Sequence, residues 1–275
     1  MGITDLLKHL DIEPKKSLGQ NFMIAEGALD RLIEAAEVGP DDVVLEIGAG
    51  LGALTDRLAI HARRTVALEI DGRMLDYLRN RYRPSPQVEI VEADILETDI
   101  GDLLGDDARR YKVVANLPYY ITSAILRYLL EGDYPPTLMA ITVQYEVAQR
   151  ITAKPPEMSL LGVSVQFFGR AKIAAKLKAG SFYPRPAVQS AVVKIVPRAD
   201  GPPLSPDDTV RFFRMVRAGF SQSRKQIKNS LAAGLHRDKE STTEWLTAAG
   251  IDPRRRAETI SVDEWLTLYR AWDEE

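Results

Sequence analysis

The chain has 275 residues and a formal net charge of −3, with 45% hydrophobic and 27% charged residues, the balance of a water-soluble globular fold. Without a run of membrane-spanning length and without any cysteine, a membrane span, disulfides, thiolate metal sites and a cysteine nucleophile are excluded. A globally basic nucleic-acid binder is excluded too, whereas a local basic face is not, because net charge averages over the whole surface.

The amino-terminal MGITDLLKHLDIEPKK lacks the apolar core of a secretory signal, so a cytoplasmic protein is expected. A helical pattern over Ala25–Glu37 leads to Val43–Ile47, the first of five short apolar, β-branched runs. Thr65–Ile70, Val88–Glu92, Lys112–Ala115 and Leu138–Val143 follow, with helical patterns such as Leu51–His61 in the gaps. Such alternation implies right-handed crossovers and a parallel sheet covered on both faces. Two further runs, Ala171–Leu177 and Ala191–Val196, flank AGSFYPRPAVQS. They are too close for a helical crossover, so an antiparallel hairpin at the end of the sheet is expected. VPRADGPPLSPDD has the composition of a linker, and from Thr209 onward the pattern is helical without strands. Two domains follow, over residues 1–200 and 201–275.

VVLEIGAGLGALT is a strand, a glycine-rich turn and a helix start. Gly48, Gly50 and Gly52 let the backbone turn tightly and approach a ligand at the helix amino terminus. The loop satisfies the loose dinucleotide fingerprint. Glu69, closing the second strand, suits ribose hydroxyls in either a nicotinamide enzyme or a methyltransferase. Two features separate these. Asp94 closes the third strand, where an adenine amine needs an acceptor. Glu46 opens a Glu-x-Gly-x-Gly pattern that resembles class I S-adenosylmethionine-dependent methyltransferases, whose cationic cofactor has no pyrophosphate and tolerates acids beside the loop.

The fourth strand runs into Asn116-Leu117-Pro118-Tyr119-Tyr120, at the same crevice as Gly48, Glu69 and Asp94. A nucleobase amine is a poor nucleophile because its lone pair is delocalised into the ring. Acceptors for its two hydrogens pull the nitrogen toward tetrahedral geometry; the Asn116 side-chain oxygen and the Leu117 carbonyl suit that task, with Pro118 fixing the backbone between. Tyr119 suits stacking on the base.

Asn116-Leu117-Pro118-Tyr119 resembles the Asn-Leu-Pro-Tyr motif of adenine-N6 RNA methyltransferases. KKSLGQNFM, Lys15 to Met23, resembles the Gly-Gln-Asn-Phe-Leu segment of the KsgA-type ribosomal RNA adenine dimethyltransferases, with Met23 in place of leucine. SFYPRPAVQSAVV, FSQSRKQIKNSL and GIDPRRRAETIS resemble further blocks of that family, so the likeness runs from about residue 15 to about 265. It implies a class I methyltransferase fold: a mostly parallel seven-stranded α/β sheet, Rossmann-like, with an antiparallel terminal hairpin and a small all-α carboxyl-terminal domain. It also implies S-adenosylmethionine as cofactor, contacted by Asn21, Met23, Gly48 and Gly50, with Glu69 on the ribose, Asp94 on the adenine and Asn116 bridging cofactor and target base. Leu117 and Tyr119 would serve the base, and Phe182 would wall it opposite Tyr119 unless it is simply a core aromatic. The implied substrate is a pair of adjacent adenosines near the 3′ end of small-subunit ribosomal RNA, each dimethylated, on free RNA or a pre-30S particle, by a monomer without metal.

From Arg211 to Arg237 seven basic residues occur and no acid. Arg214, Arg217, Arg224 and Lys228 fall near one helical face, beside an apolar stripe of Phe213, Val216, Phe220, Ile227 and Leu231. With Lys225 they form a candidate phosphate-binding surface, against the plainer reading of a solvated face. Lys8, Lys15 and Lys16 are candidates to extend it, and PRRRAE at 253–258 either joins it or caps a helix. Rival functions are a large-subunit RNA dimethyltransferase conferring antibiotic resistance, whose motif usually reads Asn-Ile-Pro, and a non-catalytic ribosome-assembly factor.

Overall fold

The apolar runs pair as one sheet in a computed structural model that describes residues 3–15 and 19–272. A short helix, α1 (Ile3–His9), precedes the two-residue strand β1 (Phe22–Met23) and α2 (Glu26–Ala36). Strand and helix then alternate: β2 (Val43–Ile47), α3 (Ala53–His61), β3 (Arg64–Glu69), α4 (Gly72–Tyr82) and β4 (Val88–Glu92). After them come α5 (Ile100–Leu104), β5 (Tyr111–Asn116), α6 (Thr122–Glu131), β6 (Leu138–Gln144), α7 (Tyr145–Thr152) and α8 (Leu160–Phe168). β7 (Gly169–Leu177), β8 (Phe182–Tyr183) and β9 (Ser190–Pro197) complete the strands. The helices α9 (Pro206–Phe220), α10 (Ile227–Leu235), α11 (Lys239–Ala248) and α12 (Val262–Arg270) follow.

The strand order is β4-β3-β2-β5-β6-β9-β7. β4, β3, β2, β5 and β6 run parallel, and β9 is antiparallel to β6. β9 and β7 occupy the sheet's end as neighbours, where the sequence expects its hairpin. Between them, however, β8 leaves the sheet and pairs with β1, Phe182 opposite Met23. The chain order reverses between β2 and β5, which makes the crevice beyond their carboxyl ends the place where such folds bind ligands.

Every residue of β2 is buried, as expected of a central strand covered on both faces. On one face α2 contributes Leu29, Leu32 and Ala36 to a cluster with Val44, Val114, Ala140 and Val192. On the other, Met74 and Leu78 of α4 pack with Ala67 and Val88. These two layers hold the strand ends in fixed positions.

The chain divides into two compact units, Met1–Ala148 with Arg170–Ala199, and Gln149–Gly169 with Asp200–Glu275. Residues 149–169, which the sequence assigns to the first domain, thus belong with the carboxyl-terminal helices. The reason is aromatic packing: Phe167 of α8 stacks on Phe212 of α9 with centroids 4.8 Å apart, and Phe168 on Phe213 at 5.9 Å. Gly219 lets the Trp265 indole lie against α9, since a Cβ there would be 2.3 Å from the ring.

Candidate active site

The glycine loop after β2 turns through left-handed conformations at Gly48, Gly50 and Gly52 (φ 77°, 59° and 82°), which only glycine adopts freely. The helix therefore starts at Ala53, two residues later than the sequence pattern places it. The Phe22 ring lies against the loop, 3.2 Å from where a Cβ on Gly50 would stand. Four of the loop's amides are spent inside the fold. Gly48 and Ala49 N–H both donate to the Leu68 carbonyl at 2.9 Å, Gly52 N–H donates to the Ala49 carbonyl at 2.9 Å, and Gly50 N–H donates to Glu69 Oε2 at 2.7 Å. A dinucleotide loop presents such amides to a pyrophosphate; this one does not.

Glu69 ends β3 and is 6% exposed. Its Oε1 accepts from the Ile70 and Asp71 amides at 2.9 Å each. Burial still pushes its pKa up, the three amide hydrogen bonds opposing the shift. Oε2, with one partner among the described residues, keeps a lone pair for a hydroxyl. Asp94 follows β4, and its Oδ1 caps the next turn through the Leu96 amide at 2.9 Å. Among the described residues no partner engages Oδ2, so it suits an amine donor. Glu46, wholly buried in β2, accepts from Thr55 Oγ1 at 2.7 Å, and burial pushes its pKa up to about 8. It supports the loop from below and does not line the cleft.

Asn116 is the last residue of β5, one beyond the predicted strand end. Its Nδ2 donates to the Asn21 carbonyl at 2.8 Å. A carbonyl only accepts, so this bond fixes the amide's orientation and leaves Oδ1 as the free acceptor. The Tyr119 hydroxyl is hydrogen-bonded to the buried Ser190 Oγ at 2.6 Å, which clamps the ring to β9. Burial raises the Tyr119 pKa, so the phenol stays neutral.

One cleft gathers Asn21, Gly48, Gly50, Glu69, Asp94, Asn116, Leu117 and Tyr119. Met23 and Phe182 do not line it. They face each other across the β1–β8 pair and sit in the core cluster under α2, because burial on that side of β1 claims both. Sequence reasoning missed Phe22, Gln20 and the apolar wall of Ile70, Ile95 and Leu96. The aromatic within Gly-Gln-Asn-Phe was the available signal for Phe22. Gln20 is tied down by Asp71, whose Oδ2 accepts from Gln20 Nε2 at 3.0 Å, while the Arg73 guanidinium holds Asp71 well below the usual carboxylate range.

In the second unit, Arg214 and Arg217 are exposed on α9, Arg224 and Lys225 are exposed in the following turn, and Lys228 is half-buried on α10. The predicted single helical face is thus split over two helices, since α9 ends at Phe220. The apolar stripe is buried except for the half-buried Phe220. PRRRAE is consumed locally: Arg254 pairs with Asp252, Arg256 with Glu258, and Arg255 with Glu264, which closes the α12 capping box. Lys8 and Lys15 belong to the other unit, and Lys16 lies outside the described residues.

A parallel sheet with an amide-spent glycine loop, a buried acid ending β3, a second acid after β4 and a fixed amide acceptor after β5 defines a class I S-adenosylmethionine-dependent methyltransferase. The chain belongs to the ribosomal RNA adenine dimethylase family, whose pattern it matches over residues 12–274. Ribosomal RNA small subunit methyltransferase A of Dehalococcoides mccartyi (strain CBDB1) is 43% identical over 265 residues, covering 96% of this chain and 90% of its own. The protein of that name from Geobacillus kaustophilus is 39% identical, covering 97% and 94%. The crystal structure of the 23S rRNA methyltransferase ErmE superposes with a TM-score of 0.73 at 29% identity, over 92% of this chain and 100% of that one. A dimethyladenosine transferase from Plasmodium falciparum gives 0.74 at 24% identity over 89% and 94%, a likeness of fold.

Proposed function

We propose that this protein transfers methyl groups from S-adenosylmethionine to the N6 amines of two adjacent adenosines near the 3′ end of small-subunit ribosomal RNA, giving N6,N6-dimethyladenosine. The reading is supported by family membership and by relatives up to 43% identical that carry the small-subunit name. A large-subunit substrate has less support, since ErmE is 29% identical. The enzyme acts in the cytoplasm as a monomer, on small-subunit ribosomal RNA, free or within a pre-30S particle.

The cofactor supplies a methyl group activated on a sulfonium. The residues present fit it: Glu69 Oε2 would accept from a ribose hydroxyl, Asp94 Oδ2 from the adenine amine, and Phe22, Ile95 and Leu96 would cover the apolar faces. Asn116 Oδ1 and the Leu117 carbonyl accept the two hydrogens of the target amine, aiming its lone pair at the methyl group. Tyr119, clamped by Ser190, stacks on the base. The methylated nitrogen then loses its proton to water, so no general base is required.

The observation that carries this reading is the Asn21–Asn116 bond, which leaves an acceptor and not a donor facing the base. Acceptance strengthens as the nitrogen becomes tetrahedral, so it acts mainly in the transition state. Single-turnover methylation at saturating cofactor and RNA should fall on the order of a hundredfold or more in Asn116→Ala, the scale of losing one preorganised polar group. A near-normal rate would reduce Asn116 to scaffolding.

A further inference from the structure

From Met158 to Ala199 the chain contains no aspartate or glutamate, although the whole molecule is acidic. This stretch forms β7, the edge strand next to β9, and the loops after it. Along β7 the side chains alternate. Ala171, Ile173 and Ala175 are half-buried, with Ala175 packed on the cluster under α2. Arg170, Lys172 and Lys176 are exposed on the other face, with Ala174 between them. Lys178 continues the alternation in extended backbone (φ −74°, ψ 147°) and is exposed as well. Eight residues at roughly 3.3 Å each carry this row of cations about 27 Å along the edge.

Among the described residues no carboxylate pairs with Arg170, Lys172 or Lys178. Glu37, whose charge Lys172 feels, is already held by Lys194 at 2.5 Å. The row also has a direction. Lys176 Nζ sits 4.4 Å over the Tyr145 ring, and Tyr145 directly follows Gln144, the end of β6. Gln144 stands opposite Ser190, the residue that clamps Tyr119. One end of the row therefore lies at the end of the sheet where the target base is proposed to bind, and the other runs away from it.

Charges on an edge strand also keep other strands from adding to it. That role needs neither a common face nor four cations in line with a nucleotide site. We propose that the exposed face of β7 is a phosphate track, on which Arg170, Lys172, Lys176 and Lys178 hold the backbone of the ribosomal RNA strand beside the target adenosines. The track rests on the reading of ribosomal RNA as substrate.

The test is a variant carrying Arg170→Gln, Lys172→Gln, Lys176→Gln and Lys178→Gln, titrated with a hairpin from the 3′ end of small-subunit ribosomal RNA over a series of salt concentrations. Each lost phosphate contact should flatten the log–log salt slope by about 0.7–0.9, so the slope should fall by roughly 3 while S-adenosylmethionine affinity stays within about twofold. An unchanged slope would overturn the track and leave the row as edge protection. Should the variant aggregate, the wild-type enzyme decides: bound hairpin should slow acylation of Lys172, Lys176 and Lys178 by an amine reagent, and equal rates with and without RNA would overturn the proposal. A wild-type enzyme that fails to methylate small subunits lacking the modification would instead fault the proposed function, independently of how the slope behaves.

Discussion

Glu69 keeps a carboxylate in a place that disfavours charge, and three backbone amides offset only part of that cost. Its proton therefore leaves at a higher pH than from a free glutamate. A ribose hydroxyl that donates to Oε2 favours the ionised form, so cofactor affinity should rise with pH through the raised pKa and then level off. Calorimetry over a pH series that begins below the ordinary glutamate value should show that rise in the wild type and a flat profile in Glu69→Gln. Glu69→Ala should weaken binding by about 1–3 kcal/mol, the range for hydrogen bonds to a charged group. A wild-type profile without slope, or an unchanged affinity in Glu69→Ala, would return Glu69 to a purely structural role as the anchor of the Gly50 amide. Glu69 was legible in the sequence because an acid ending the second strand after a glycine loop has few other uses. Phe22 was not, because the residue after it is equally apolar and nothing in the pattern says which of the two lines the cleft.

At the level of elements, β2 carries the clearest test of how the cofactor loop is held. Glu46 lies inside the sheet with a pKa of about 8, well above the ordinary 4.5. The unfolded chain releases the proton that the folded chain keeps. The contribution of Glu46 to stability is therefore full at low pH, declines as pH rises from about 4.5 to about 8, and is lost above that. Glu46→Gln keeps an oxygen for the Thr55 hydroxyl and never ionises. Its melting temperature relative to wild type should climb between pH 5 and pH 9, and a difference independent of pH would mean that Glu46 is not protonated in the fold. The strands themselves were readable to within a residue or two, since central parallel strands are continuous apolar runs. The β1–β8 pair was not, because two-residue strands carry no periodicity and their pairing joins segments about 160 residues apart.

Across the whole molecule, the sequence located the last helices but not the return of 149–169 to them. The first crossing between units falls inside α7, and the second falls where α8 runs straight into β7. Neither carries the proline- and glycine-rich composition that betrays a linker. In the second unit Arg224 and Lys225 are exposed and Lys228 is half-buried, and these three are proposed as phosphate contacts. Neutralising them should weaken RNA binding and flatten its salt dependence by about 0.7–0.9 per lost phosphate contact, with cofactor affinity intact. A salt slope that does not move would make these residues a solvated face.

The central claim is that adenosine N6 in small-subunit ribosomal RNA receives the methyl groups. Small subunits lacking the modification, incubated with the enzyme and labelled S-adenosylmethionine, answer it by mass analysis of their nucleosides. The account predicts N6,N6-dimethyladenosine at two adjacent positions near the 3′ end of the RNA, with label in all four methyl groups and loss of product in Asn116→Ala. Label on another base, on large-subunit RNA alone, or on no RNA at all would contradict it.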